Sequence, residues 1–393
     1  MKSIRDFIMI VILIVTVIVV GYANPSLAAQ TVKIGAMLPF TGHNLMFGKP
    51  LQRGIELAFD QAGWKAGGRK IELMVEDEAS DTTVCRDKAT KLVERDKVSI
   101  IIGPLHAPGA IANMPYLEKN KVINLCVGQY PLGVAKAFSY MILPGGTLNQ
   151  CSYQLGAYAY NQRGYRTAIV MAPDFVPGHE FAGGFTTRFK ELGGRVVQER
   201  WYPVETVDFA AYLSVLGKAD AVAMWAVGPG ALRLVKQYEE YGLFKRMPMM
   251  AVHMSGAFDE ATLLPAHGDA ALGIIGAIPY ATTIKTKANQ DFLKAYKTKY
   301  QKVPDINQHM GYIAALVAVK ALEAAGADAS PEKLRDTLLG LSYQIPSGPL
   351  RFTSDGIAIR SVFIVENAKI EGRYVWKVIH EYPEVGPPPP VAK

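Results

Sequence analysis

The stretch "SIIIGPLHAPGAI" (residues 99–111) runs from an apolar strand through Gly-Pro into a helix that begins at Pro108. At its turn, His106-Ala107-Pro108-Gly109, several backbone N–H groups are left without partners, because the first turn of a helix has no carbonyls behind it. Few polar side chains surround those donors. The same unit repeats outward in both directions. Upstream, "VKIGAML" and "KIELMVEDE" read as strands, "KPLQRGIELAFDQAG" as a helix ended by Gly63, and "DTTVCRDKATKLVERD" as a helix capped by Asp81. Downstream, "PGAIANMPYLEKN" is a helix and "VINLCV" a strand. Strict alternation of this kind predicts a parallel sheet with helices on both faces.

After "LPGGT" (143–147) the alternation starts again. Helices "LNQCSYQLGAYAYNQRG", "HEFAGGFTTRFKELGG", "VDFAAYLSVLG" and "GALRLVKQYEEYG" separate strands "RTAIVMAP", "VVQERWYP", "DAVAMWAVG" and "MPMMAVH". Three further helices follow, "ANQDFLKAYKTKYQ", "GYIAALVAVKALEAAG" and "SPEKLRDTLLGL". The end, "SVFIVENAKIEGRYVWKVIHEYP", alternates apolar positions around "EGR" and predicts an antiparallel hairpin. Two α/β units of one design place a crevice at the carboxyl ends of parallel strands, a ligand-binding layout. Architecture alone does not separate an enzyme from a binder.

The N-terminus carries Lys2 and Arg5, then the 14-residue apolar run "FIMIVILIVTVIVV" (7–20), then "GYANPSLAAQ" with small residues at Ser26 and Ala28. That is the layout of a signal peptide, residues 1–28, cleaved after Ala28. The run is shorter than the ~20 residues that span a bilayer, so cleavage is expected over a retained anchor. The mature protein, with no later run long enough to span, is expected to be soluble, periplasmic and monomeric. Net charge is +7, and removal of Lys2, Arg5 and Asp6 with the leader lowers it by one. The basic residues are spread singly among acids, a pattern of solvated faces that argues against nucleic acid as a partner. Three cysteines, Cys85, Cys126 and Cys151, allow one disulfide at most and have no metal-ligand spacing.

Catalytic templates nearly fit and then fail. His179-Glu180 opens like a zinc-protease helix, but Gly183 stands where the second histidine is needed. Gly228-Pro229-Gly230 lies at a strand–helix junction, yet Arg233 holds the third glycine's place. Ser255 lacks the first glycine of a nucleophile elbow. No catalytic residue, metal site or cofactor is therefore expected. What recurs instead is a set of strand ends rich in Gly, Pro, His and aromatics: Phe40, Met46-Phe47, Gly103 to His106, Gly128-Gln129-Tyr130, Phe175, Val227-Gly228, His253 and Pro279-Tyr280.

The order and spacing of "VKIGAMLPFTGHNLMFGKPLQRGIELAFDQA", "IELMVEDEASDTTVCRDKATKLV", "IIGPLHAPGAIANMPYLEKNKVINL" and "DFAAYLSVLGKADAVAMWAVGPGALRLVKQYEEYGL" resemble the branched-chain amino-acid-binding type of periplasmic solute-binding protein that serves ABC importers. The resemblance covers residues 31–382. It implies the two-lobed α/β fold called type I: each lobe a mostly parallel sheet flanked by helices, with three hinge crossovers near 144–148, 277–280 and 346–351. Lobe 1 would take 29–146 plus 278–348, lobe 2 would take 147–277 plus 349–383, and 384–393 would form a flexible tail. A small ligand trapped as the lobes close would be presented to a permease with its ATPase.

The resemblance departs where the ligand is chosen. The serine hydroxyl that amino-acid binders offer a carboxylate falls at Ala107, between His106 and Pro108. The threonine loop falls at Val127-Gly128-Gln129, the acid that pairs with an ammonium falls at His253, and two tyrosines fall at Val176-Pro177 and Val227-Gly228. A buried ammonium without an anionic partner is strongly disfavoured. The helix N-terminus with Gln129 and His106 or His253 can still hold a carboxylate. Phe40, Met46, Phe47, Tyr130, Phe175 and Tyr280 can enclose an apolar body. The expected ligand is thus an amine-free organic acid, an aromatic one by preference. The alternatives are a branched-chain amino acid, an amide, urea-like or sugar-like ligand, or a different class, an exported α/β enzyme using the same crevice.

Overall fold

The computed structural model describes residues 31–252, 260, 263–326 and 328–389, so the signal-peptide reading and His253 lie outside the described residues. Six strands form the first sheet: β1 (Thr31–Leu38), β2 (Lys65–Ala66), β3 (Arg69–Asp77), β4 (Ile100–Ile102), β5 (Ile123–Leu125) and β6 (Met141–Ile142), in the order β2-β3-β1-β4-β5-β6. All its pairs are parallel except β2 with β3. Helices α1 (Gly48–Gln61), α2 (Thr82–Thr90), α3 (Ala107–Lys119) and the short α4 (Leu132–Ala135) link these strands.

The second sheet has nine strands: β7 (Thr167–Pro173), β8 (Arg195–Tyr202), β9 (Ala221–Met224), β10 (Met249–Ala251), β11 (Ile275–Ile278), β12 (Tyr343–Ile345), β13 (Gly348–Phe352), β14 (Ala358–Ile370) and β15 (Arg373–Val385). Its order is β12-β13-β14-β11-β10-β9-β7-β8, with β15 on β14. Strands β7 to β11 run parallel, and the last four join antiparallel. Around it lie α5 (Gln150–Asn161), α6 (Val176–Glu191), α7 (Ala210–Leu213), α8 (Pro229–Glu240) and α9 (Leu263–His267). The chain then returns to the first sheet as α10 (Lys287–Tyr300), α11 (Ile306–Ala325) and α12 (Pro331–Gly340).

Alternation along β1 and β4 explains the first lobe's two cores. Ile34, Ala36, Leu38, Ile100 and Ile102 face the larger core beneath α1 and α11. Met37 and Ile101 point the other way, against Ala89 of α2 and Ala110 and Met114 of α3. Helices α1 and α11 touch backbone to backbone: a Cβ at Gly54 would lie 2.0 Å from the Gln308 carbonyl oxygen, and one at Gly311 would lie 2.2 Å from that of Leu51. Only glycine permits that approach.

Local signals hold at several ends. The Asp81 side chain accepts from the Val84 amide at 2.9 Å, and Asp305 with Gln308 closes a capping box on α11. The hairpin turn is Glu371-Gly372, both with positive φ, the geometry of a two-residue turn. Two readings are corrected. The helix expected over 207–217 shrinks to α7, because Gln198 on β8 binds the backbone instead: its amide donates to the Val215 carbonyl and its oxygen accepts from the Gly217 amide. The expected tail loses its first two residues to β15, where Glu384 pairs with Arg351 and Val385 pairs with Arg360. Cys85, Cys126 and Cys151 are all free and buried.

The chain passes between the sheets at three places: 143–149 after β6, 279–286 after β11 and 341–342 after α12. The third comes ahead of the expected 346–351, because Tyr343–Ile345, expected in lobe 1, already pairs in the second sheet as β12. Among the described residues no helix is long and apolar enough to cross a membrane.

Candidate functional site

The acidic run "EDEASD" (76–81) leaves β3 at the carboxyl edge of the first sheet, and almost every member of it holds something in place. Glu76 bridges Lys88 and Lys91. Asp77 accepts from the amides of Phe40 and Ala79 at 2.9 Å and from the Thr41 hydroxyl at 2.7 Å, which fixes the loop after β1. Burial pushes that carboxyl up, but the bonds from Thr41, Ala79 and Phe40 together outweigh it and hold it below its usual value. Ser80 accepts from the Asn44 amide. Glu78 is fully buried and accepts from the amides of Leu105 and His106 at 2.8 and 2.9 Å. Burial drives its carboxyl up to about 7, with Asp77 adding repulsion, although both amides favour the anion.

These anchors set the start of α3. The amides of Leu105 and His106 are taken by Glu78, so the next donors in line, on Ala107 and Gly109, lie in the first helical turn and have no intrahelical carbonyl to serve. His106 is the N-cap residue and makes no side-chain capping bond; Pro108 carries no N–H. Gly109 is required by packing, since a Cβ there would lie 2.4 Å from Cys85 Sγ on α2. The His106 ring stands edge-on to His43 at 5.6 Å, with Nε2 3.4 Å from Thr82 Oγ1. Burial first, then the neighbouring His43, lowers the His106 pKa against the opposing pull of Asp81.

The second sheet offers an aromatic edge. Phe175 precedes α6 at the end of β7 and stacks on Trp225, which follows β9, with ring centroids 5.7 Å apart and planes 17° from parallel. Phe181 meets Trp225 edge-on at 5.0 Å, and the Tyr202 hydroxyl donates to the Trp225 carbonyl. Gly228, with positive φ, then turns the chain into α8.

Of the residues expected at the site, the structure brings Phe40, Met46, Phe47, His106, Ala107, Pro108, Gly128 and Gln129 to the carboxyl edge of the first sheet, and Phe175 and Val227 to that of the second. Met46 is 45% exposed and Val227 37%. Gln129 Nε2 reaches the Gly145 carbonyl at 3.4 Å, which ties this loop to the first crossing. Two of the expected residues lie deeper. Tyr130 is fully buried and donates to the Pro104 carbonyl, so its ring supports the Gly103–His106 turn. Tyr280 is 2% exposed, stacks on His309 at 4.1 Å and donates to Asn289 Oδ1. Both rings lie in the packed interior, Tyr130 beneath the Gly103–His106 turn and Tyr280 against α11, and not on an open edge.

Sequence reasoning missed Glu78 and Trp225. Both stood in plain view, but an acid after a strand reads as solvated and an aromatic inside an apolar run reads as core. Among the described residues no group of His, Cys, Asp and Glu is arranged to hold a metal ion.

A family model described as periplasmic binding protein matches residues 31–370. The chain belongs to that family. This periplasmic binding protein is 25% identical to a Leu/Ile/Val-binding protein homologue from Brucella melitensis, over 92% of its own length and 94% of the relative's. It superposes on an ABC transporter substrate-binding protein from Sphaerobacter thermophilus with TM-score 0.87 and 28% identity, covering 91% of this chain and 99% of that one. A Rhodopseudomonas palustris ABC transporter solute-binding protein, solved with 3,4-dihydroxybenzoic acid, matches with TM-score 0.82 and 26% identity over the same shares. The periplasmic binding protein is thus a solute-binding protein of the ABC-transporter class, of the branched-chain amino-acid-binding type, and its relatives are transport proteins rather than enzymes.

Proposed function

We propose that this binding protein traps an amine-free organic acid, an aromatic one by preference, between its lobes and presents the closed form to the permease and ATPase of an ABC importer. The observation that carries the reading is the start of α3. Glu78 takes the loop amides of Leu105 and His106, and the following donors of Ala107 and Gly109 remain at a helix N-terminus, where partial positive charge favours an anion. No hydroxyl stands at Ala107 to bind the carboxylate, so main-chain groups carry that task. Met46 and Phe47 on one rim and Phe175 over Trp225 on the other supply apolar and aromatic surface for the body of the ligand. The solved relative that holds 3,4-dihydroxybenzoic acid supports this class. Where the family pattern has an acid for an ammonium, this chain has His253, which supplies no fixed negative charge.

A second reading, a branched-chain amino acid, is favoured by the Leu/Ile/Val-binding relative. Thermal unfolding separates the two. A ligand at one hundred times its Kd stabilises the folded state by about 2.7 kcal/mol. Benzoate, 4-hydroxybenzoate and phenylpropanoate are expected to raise the melting temperature and leucine and valine to leave it unchanged; the reverse ranking overturns the proposal. Export with cleavage after Ala28 and a monomeric mature form complete it, and N-terminal sequencing with light scattering of the exported protein checks both.

A further inference from the structure

Two crossings between the sheets and the turn that follows the third meet at one side chain. Arg360 on β14 is 2% exposed. Its Nη1 donates to the Pro144 carbonyl at 2.9 Å, in the first crossing. Its Nη2 donates to the Pro279 carbonyl at 2.8 Å, in the second, and to Ser347 Oγ at 2.9 Å, in the β12–β13 turn that follows the third. No carboxylate pairs with it among the described residues, and its Nε has no partner there. A buried guanidinium without a counter-ion is costly. Its rigid planar fork of five donors can nevertheless serve acceptors on three separate segments at once.

The neighbours reinforce the same junction. His309 of α11 stacks on Tyr280, the residue after Pro279, and its Nε2 lies 3.4 Å from Ser347 Oγ. Gln150 at the start of α5 accepts from the Thr147 amide and donates to the carbonyls of Ala358 and Val385, so the first crossing is bound to β14 and β15 as well. The Leu143 amide donates to the Gly356 carbonyl, and the Ala358 amide donates back to Leu143.

We infer that Arg360 is the pin of the hinge: it ties the first two crossings to the β12–β13 turn that follows the third, so that the lobes open and close as a single rotation, and it sets the balance between the two states. It is a positioning residue that acts on the ligand only through the crossings. The inference rests on the binding reading solely in taking lobe closure as the working motion; it requires no particular ligand.

The test is made on the ligand-free protein. Spin labels on Lys119→Cys in α3 and Lys190→Cys in α6, both positions exposed while the native cysteines are buried, report the distance between lobes by double electron–electron resonance. Arg360→Met keeps an unbranched apolar stem but is shorter and donates nothing. The expected result is a broader distribution with a second population, alongside a wild-type near-ultraviolet circular dichroism spectrum. Ser347→Ala, which removes one bond of the three, is expected to broaden it less. A folded Arg360→Met protein with the wild-type distribution overturns the inference. If that variant does not fold, an unchanged distribution in Ser347→Ala overturns it. A ligand screen that fails for every aromatic acid refutes the proposed ligand class and leaves these distances as they are.

Discussion

Replacing Glu78 by glutamine separates charge from shape at the loop that sets the start of α3. The wild-type carboxyl is fully buried, and its pKa rises from the ordinary 4.5 to about 7 because burial penalises the anion more than the amides of Leu105 and His106 favour it. That gap of roughly 2.5 pH units corresponds, at about 1.4 kcal/mol per unit, to ~3 kcal/mol. The folded chain holds this proton to higher pH than the unfolded chain does. Its contribution to stability is therefore complete below pH 4.5 and is lost as pH rises through 7. Glutamine has no proton to lose. It leaves one of the two amides facing its NH2 group, an offset of about 1–3 kcal/mol that does not vary with pH. Urea unfolding of both proteins at pH 4.5, 6 and 8 measures the difference, in which the other titrating groups cancel. The difference is expected to move by ~3 kcal/mol in favour of Glu78→Gln between the lowest and highest pH. Parallel stability curves would refute the reasoning, because they would mean that Glu78 titrates as an exposed acid and does not anchor the loop.

Gly109→Ala would drive a methyl group into Cys85 Sγ and displace the first turn of α3; calorimetry should show a loss of about 1–3 kcal/mol in stability, and titration should show weaker binding of 4-hydroxybenzoate. Gly54→Val puts a side chain against the Gln308 carbonyl and separates α1 from α11, lowering stability by roughly 3 kcal/mol or more in urea unfolding. Phe175→Ala removes one face of the stack on Trp225 and is expected to weaken an aromatic acid by about 1 kcal/mol relative to an aliphatic acid of equal charge, read by calorimetric titration; equal losses for both would exclude an aromatic platform. His253→Glu should improve leucine relative to its amine-free analogue in competition binding, and no relative change would place His253 outside the pocket.

Much of the order of elements was legible because it follows from local periodicity. The triple isoleucine of β4, the Asp81 cap, the stop at Gly63 and the hairpin around Gly372 each depend on residues within a few positions of one another. Where a distant side chain competed for the backbone, local reading failed, as when Gln198 unwound the helix expected beyond Leu213. The candidate site was half legible. Gly, Pro and aromatic residues at strand ends marked the loops, but nothing local told Phe175, which meets the edge, from Tyr280, which stacks on His309 in the interior.

By itself, then, the sequence determined the alternation, the two-sheet design and the family, since hydrophobic period and turn chemistry are written along the chain. Only the tertiary structure decided that Glu78 would lie buried under residues 105 and 106, and that Arg360 would meet Pro144, Pro279 and Ser347. Burial and hydrogen bonding across 27 to 216 positions of chain arise when sheets and crossings pack against one another. An acid or an arginine looks the same in sequence whether water or three converging segments will surround it.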